Sequence, residues 1–313
     1  MNAPSQTAAI DACGLVRSYG ALEAVRCIDL RVAPGELYGL VGPDGAGKST
    51  TINCLAGLMR PTAGYVRVLG EDPLARRSRA REHLGLMPQQ YSLYGDLSVA
   101  ENLSFFARLF GLSRQTFRER SARLLEITRL TRFEDRRADA LSGGMYKKLA
   151  LACALLHRPS VLLMDEPTNG VDPVSRRELW ELIYELVGEG MSVLVSTAYM
   201  DEAARCHRVG LLHHGQIIAQ GSPSALSREL EYDVLAVTGG DRERLHTWLN
   251  GHPGVVTASP AGTRLRVLAT PGAGAAISRD VMELGATAER VAPDFEDVFL
   301  ARVSARQLQA GAA

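Results

Sequence analysis

The run Gly42-Pro43-Asp44-Gly45-Ala46-Gly47-Lys48-Ser49 sets two glycines, a lysine and a hydroxyl at the spacing G-x-x-x-x-G-K-[ST]. Glycines so placed let successive backbone N–H groups turn into one concavity and approach an anion without a clashing Cβ. The residues before the run read as a strand, and Ser49 to Leu58 read as a helix. A helix N-terminus adds unpaired donors and partial positive charge. Lys48 then suits the β- and γ-phosphates of a nucleotide, and Ser49 suits Mg2+. Alone, the run also fits a plain glycine-rich turn.

Two further stretches narrow the chemistry. Val161-Leu162-Leu163-Met164-Asp165-Glu166 is an apolar strand that ends in two carboxylates. Such a pair calls for a nearby cation: Asp165 suits Mg2+, directly or through water, and Glu166 suits removal of a proton from an attacking water. Leu141-Ser142-Gly143-Gly144-Met145 precedes a long helix through His157 and is a second small, glycine-rich helix start. One nucleotide does not need two γ-phosphate cradles in one chain. The economical reading is a dimer in which this cradle closes on the partner's ATP, the bland one a capped helix start.

The elements that must position these groups are legible in outline. Up to about Gln220, short apolar strands alternate with helices, the pattern of a parallel α/β sheet, with strands at Glu36–Val41, Val161–Met164 and Ser192–Thr197. A mostly helical stretch covers roughly 96–135, opened by a capping box at Ser98-Val99-Ala100-Glu101. Leu103, Phe106, Ala107 and Phe110 then follow helical spacing. Val209–Gln220 reads as a hairpin turning at His214-Gly215, and Ser222-Pro223 starts a helix. Residues 232–302 read as strand, helix, two strands, helix, strand and a last helix, with strands at Asp233–Val237, Val255–Ala258, Leu265–Ala269 and Thr287–Val291. Gln307–Ala313 is expected to fray.

Composition bounds the rest. A length of 313 residues suggests two domains, and 46% hydrophobic with 22% charged residues fits a globular protein with a real core. Thirty-five basic residues balance 35 acidic ones, so no global field favours nucleic acid. The longest strongly apolar run, Leu149–Leu156, is too short to span a bilayer. No basic region followed by an apolar stretch marks a secretion signal at the N-terminus. Five scattered cysteines lack metal-ligand spacing and suggest reduced thiols in the cytoplasm.

Together these elements resemble the nucleotide-binding domain of ABC transporters over nearly the whole chain. Gly42–Ser49 resembles the Walker A loop, Val161–Glu166 the Walker B strand and Leu141–Met145 the signature motif. Pro88-Gln89 resembles the Q-loop, Gly170-Val171-Asp172-Pro173 the D-loop, and Tyr19 the aromatic residue that stacks on adenine. The resemblance implies an α/β fold: a P-loop NTPase cassette core over 1–226, with a helical subdomain at about 96–157, and a small α+β domain over 227–313. It implies Glu166, Lys48 and Gln89 as catalytic residues, and Ser49, Gln89 and Asp165 as Mg2+ ligands. ATP contacts fall to Tyr19, Gly42 through Thr50, Ser142, Gly143 and Gly144.

Tyr199-Met200-Asp201-Glu202-Ala203 and Phe295-Glu296-Asp297-Val298-Phe299-Leu300 resemble ATP-binding subunits of bacterial type-two exporters of drugs, antibiotics, lipids or polysaccharides. That implies integral-membrane permease subunits, a second cassette in a homo- or heterodimer, a membrane-fusion adaptor, and a place on the inner face of the cell membrane. Three departures matter. Asp44 replaces the usual Asn, Met145 replaces Gln, and Ala198 stands where the family places a switch histidine. Losing one preorganised transition-state donor costs about 3 kcal/mol in other enzymes. Two alternatives therefore stay open: a subunit that mainly completes the ATP site of a second cassette, and a soluble ABC protein acting on ribosomes or DNA repair.

Overall fold

The computed structural model describes residues 7–90 and 93–311. In chain order the elements are β1 (Ile10–Tyr19), β2 (Leu22–Val32), β3 (Leu37–Val41), α1 (Lys48–Leu55), β4 (Ala63–Val68), β5 (Leu84–Met87), α2 (Val99–Leu109), α3 (Arg114–Ile127), α4 (Gly143–Leu155), β6 (Val161–Asp165), α5 (Pro173–Gly188), β7 (Ser192–Thr197), α6 (Met200–Ala203), β8 (Arg208–His213), β9 (Gln216–Gly221), α7 (Pro223–Arg228), β10 (Asp233–Gly239), α8 (Arg242–Gly251), β11 (Val255–Ala261), β12 (Arg264–Ala269), α9 (Gly274–Glu283), β13 (Ala286–Arg290) and α10 (Phe295–Gly311). Two compact units emerge. The first holds the chain up to Tyr199 and Cys206–Ile217; the second holds Met200–Arg205 and the chain from Ile218.

In the first unit, β5, β6, β7, β3 and β8 lie side by side in that order, all parallel, with β9 at the edge. Every residue of β3, β6 and β7 is buried, which is why these strands read as unbroken apolar runs. The first of them begins one residue later than the sequence suggests. Glu36 stays outside the ladder, and its carboxylate accepts from Ala33 N–H at 2.7 Å and pairs with Arg208 at 3.2 Å. A three-stranded antiparallel sheet, β2-β1-β4, shares the core through Leu15, Val25, Ile28 and Val66.

The helical stretch is present as α2, α3 and α4. Ser98 caps α2 and completes the expected box with Glu101. On α2, Leu103 and Ala107 are buried, whereas Phe110 at its end is exposed and stacks on His157 at 4.1 Å. His214 and Gly215 both take positive φ, 46° and 77°, as a two-residue hairpin turn requires.

The second unit contains a four-stranded antiparallel sheet, β11-β12-β10-β13. Leu245 and Leu249 of α8 and Ile277 and Val281 of α9 bury one face with Leu235, Val237 and Val267. Ala301 of α10 packs with Val234 and Leu268. Arg266 ties β12 to α10 by bonds from Nε to both oxygens of Asp297, at 3.0 and 3.2 Å. The fraying expected from Gln307 onward is corrected by the backbone, which stays helical to Gly311; residues 312 and 313 lie outside the described residues. Among the described residues no helix is long and apolar enough to cross a membrane.

Candidate active site

The site is assembled at the ends of β3, β6 and β7. The register pairs Val41 with Thr197 and Asp165 with Ser196, so the ends of β3 and β6 flank β7 at one level. Gly42 N–H donates to the Thr197 carbonyl at 3.2 Å, and Glu166 N–H to the Ser196 carbonyl at 3.2 Å. The glycine-rich run and the two carboxylates are thereby brought together by sheet pairing across more than a hundred residues of sequence.

Two of the loop glycines are sterically required. A Cβ on Gly42 would stand 2.1 Å from the Leu212 carbonyl oxygen. Gly47 takes φ 106° as the N-cap of α1, and a Cβ there would stand 2.4 Å from the Ala24 carbonyl oxygen. No side chain caps α1. The N–H groups that open this helix are thus available to an anion, with the positive end of the helix behind them.

Lys48 is 4% exposed and its amine is the centre of the site. It donates to the carbonyls of Gly42 at 2.8 Å and Pro43 at 3.0 Å, and pairs with Glu166 Oε1 at 3.0 Å. A buried cation–carboxylate pair is tolerated only when both partners find further polar contacts. Glu166 finds them through Oε2, which accepts from Gln89 Nε2 at 2.8 Å and Asn169 Nδ2 at 3.3 Å. The Asp44 carboxylate is 94% exposed and lies 3.8 Å from the same amine.

Glu166 is also held in the left-handed region, at φ 48°. For a non-glycine residue that conformation costs roughly 1–3 kcal/mol and persists only when its surroundings over-determine it. Ser196 is the restraint. Its hydroxyl donates to Asp165 Oδ1 at 2.5 Å and accepts from the Glu166 backbone N–H at 3.0 Å, fixing the Asp165 carboxylate and the Glu166 backbone. The sequence reading missed this residue, although a buried serine in the otherwise apolar Ser192–Thr197 is a visible signal. Ala198, half-buried just past β7, brings only a methyl group to this level.

Ser49, Gln89 and Asp165 offer a hydroxyl, a carboxamide and a carboxylate, all hard oxygen donors of the kind Mg2+ takes. Ser196 engages only Oδ1 of Asp165. Among the described residues no group of three or more His, Cys, Asp or Glu could hold a metal ion by itself. The chemistry of the three donors fits Mg2+.

The second glycine-rich start is built differently. Ser142 caps α4, its hydroxyl accepting from Met145 N–H at 3.3 Å. Gly144 is pressed on the D-loop helix: a Cβ would stand 2.3 Å from Ser175 Cβ. Asp172 in turn caps α5 by accepting from Val174 and Ser175 N–H. The Ser175 hydroxyl first, and then these backbone bonds, hold its carboxyl below the usual range. Gly143 and Gly144 thus lie against Gly170 and Ser175, with Ser142 capping the helix beside them. Just beyond, the Tyr146 hydroxyl accepts from Leu93 N–H at 3.1 Å, and Lys147 Nζ donates to the Gln89 carbonyl at 3.3 Å. Burial pulls the Lys147 amine down from its usual pKa, while Asp165 and Glu166 pull the other way. Tyr19 ends β1 with its ring 43% exposed; its hydroxyl donates to Met59 Sδ at 2.9 Å, and Arg17 lies over the ring at 4.8 Å.

Comparison with known proteins follows the same lines. The ABC transporter family matches residues 25–169. A probable multidrug ABC transporter ATP-binding protein, YbhF, of Escherichia coli strain K12 is 47% identical over 219 residues, 69% of this chain. The chain spans only 38% of that relative's length. A Nod factor export ATP-binding protein I of Paraburkholderia xenovorans strain LB400 is 45% identical over 237 residues, 75% of this chain and 78% of the relative. Among solved structures, an ATP-binding subunit of an ABC transporter superposes with a TM-score of 0.64 at 31% identity, over 70% of this chain and 92% of the other. A dimeric ATP-binding cassette in a post-hydrolysis state, bound to ADP and Pi, gives 0.63 at 25% identity, over 68% and 98%.

Proposed function

The chain belongs to the ABC transporter family, and on that premise we propose that it is the ATP-binding and ATP-hydrolysing subunit of an exporter. The observation that carries this reading is the buried Lys48–Glu166 pair, 3.0 Å apart, joining the phosphate loop to the end of the acidic strand. An ATP γ-phosphate entering the loop competes with Glu166 and the loop carbonyls for the Lys48 amine. Once Lys48 turns to the phosphate, Glu166 is released as a base. It takes a proton from a water whose oxygen bonds to the γ-phosphorus, as the bond from phosphorus to the bridging oxygen breaks and ADP leaves. Gln89 and Asn169 keep the carboxylate aimed, and Ser196 holds the Glu166 backbone. Ser49, Gln89 and Asp165 would hold Mg2+, which when bound would supply positive charge against the phosphates. Tyr19 offers its ring to adenine, and Ser142, Gly143 and Gly144 face the ATP of a second cassette, either another copy or a different chain.

Residues 1–226 serve as the ATPase domain and 227–313 as an accessory domain in this proposal. The subunit docks on separate permease subunits at the inner face of the membrane, with a membrane-fusion adaptor completing the exporter. The proposed cargo is a drug, antibiotic, lipid or polysaccharide, and relatives named for multidrug and Nod factor export support an export role. The test is steady-state phosphate release from the full chain with a Glu166→Gln variant as blank. Turnover in the wild type, and an ATP-trapped dimer in the variant by sedimentation, are the expected results. No difference between the two proteins would reject the assignment of Glu166.

A second reading rests on Ala198. A subunit without the switch side chain hydrolyses slowly and mainly completes the site of a partner cassette. Single-turnover hydrolysis, with this chain at excess over ATP, separates the two: no ATP consumed while ATP is bound favours the second.

A further inference from the structure

We propose that Lys147 and Tyr146 are positioning residues for ATP hydrolysis: Lys147 holds the Gln89 carbonyl and Tyr146 the Leu93 amide, and so they keep Gln89 against Glu166 of the same subunit. The proposal deepens the ATPase reading and rests on it. Three bonds lie in series and a fourth stands beside them. Lys147 Nζ donates to the Gln89 carbonyl at 3.3 Å, and four residues later Leu93 N–H donates to the Tyr146 hydroxyl at 3.1 Å. Gln89 Nε2 donates to Glu166 Oε2 at 2.8 Å, and Glu166 Oε1 meets Lys48 at 3.0 Å.

Helix geometry explains why two neighbours can do this. Consecutive residues on α4 diverge by about 100°, so one reaches one end of the segment and the next reaches the other. Both follow directly on Ser142–Met145, so they move with the cap of α4. Gln89 itself is exposed, and its carbonyl lies outside any strand or helix. The Lys147 bond is therefore a specific restraint on that carbonyl, made by a charged donor and stronger than a neutral one. A displacement of the α4 start would be passed to the Glu166 carboxylate through Lys147 and Gln89. Phosphate sensing at one site and the signature turn of the same subunit would then share one mechanical link.

The experiment uses the full chain with Lys147→Ala, Lys147→Arg, Tyr146→Phe and Gln89→Ala. Phosphate release gives kcat, and equilibrium binding of a fluorescent ATP analogue gives Kd. Lys147→Ala should lower kcat about tenfold, the worth of one charge-assisted bond, with Kd unchanged and most of the loss restored by Lys147→Arg. In the Gln89→Ala background the same substitution should cost little, because the element it positions is gone. In Tyr146→Phe, hydrogen exchange at the Leu93 amide should quicken and kcat should fall, by less than in Lys147→Ala; faster exchange with unchanged kcat would overturn the role given to Tyr146. Equal kcat in Lys147→Ala and wild type, an undiminished loss in the Gln89→Ala background, or a parallel loss of ATP binding would each overturn the proposal. A wild type that neither binds nor hydrolyses ATP would instead remove the ATPase reading, and this inference with it.

Discussion

Two helices of the first unit begin with glycine, and they begin in opposite ways. α1 starts from Gly47 in a left-handed turn with no side-chain cap. Its first N–H groups are left for something outside the chain, and Lys48 stands buried beside them. α4 starts from Ser142, whose hydroxyl satisfies Met145 N–H, and its glycines are exposed or pressed on Ser175. A start that leaves its donors unpaired and keeps a cation next to them is a complete anion site. The same residue class, small and glycine-rich, thus opens two helices in two ways: one with its donors uncapped beside a cation, the other capped by its own serine.

The largest test of this contrast is Lys48→Ala. It removes the cation of the complete site and leaves the Glu166 carboxylate buried beside Gln89. ATP turnover should fall by roughly 10³-fold, at the upper end for loss of one preorganised charge. Retained turnover in a phosphate-release assay would break the view of α1 as the self-sufficient site. Ala198→His comes next and sharpens the contrast, since it asks whether the complete site lacks one group. Turnover of the isolated chain should rise, by less than the roughly 10²–10³-fold that one donor supplies, because the pocket is not shaped for imidazole. A wild-type rate already equal to that of histidine-bearing cassettes would make Ala198 a harmless helix starter.

Ser142→Ala should leave ATP binding by the isolated chain intact. It should lower the thermal midpoint through a cap loss of about 0.5–2 kcal/mol. Weakened ATP binding at low protein concentration would mean that the α4 start belongs to the chain's own site. The smallest effect concerns the anchor of α4. Glu178 bonds buried Lys148 and pairs with Arg129, and the Lys148 bond is the first cause of its lowered pKa. A carboxylate with a depressed folded pKa stabilises above its ordinary value of about 4.3 and loses that contribution as pH falls through the lower folded value. The difference in thermal midpoint between wild type and Glu178→Gln should therefore be full at pH 7 and shrink below about pH 4. A difference constant with pH would assign Glu178 a packing role alone.

The sequence carried the groups whose meaning is local. Gly42–Ser49 declares a phosphate loop because its glycines, lysine and helix start are consecutive. Ser98 and Glu101 declare a cap because they are three apart. What stayed hidden depends on register and on packing between distant segments. Ser196 gains its role only when β7 is set beside β6 so that it faces Asp165. Lys147 carries no signal in its local sequence, because its amine reaches Gln89 from 58 residues away. Gly144 read as part of a cradle, yet its lack of a side chain is enforced by Ser175 on another helix. The helical backbone to Gly311 ran against an expectation drawn from end position alone.

The chain passes between its two compact units three times: after Tyr199, after Arg205 and after Ile217. The six residues Met200–Arg205 carry α6, which packs on α10 near the far end of the sequence. This threading sets a limit on modularity. The second unit cannot be transplanted to another protein as one contiguous cassette, nor removed by one stop codon. A chain ending near Leu226 would keep α6 but strip it of its helical neighbour, one residue beyond the turn at Ala198 and Tyr199. A clean exchange of the unit between relatives would need two grafts with matched junctions, at 199/206 and at 217. Recombination at a single point between such genes would yield a hybrid with a mismatched α6–α10 seam.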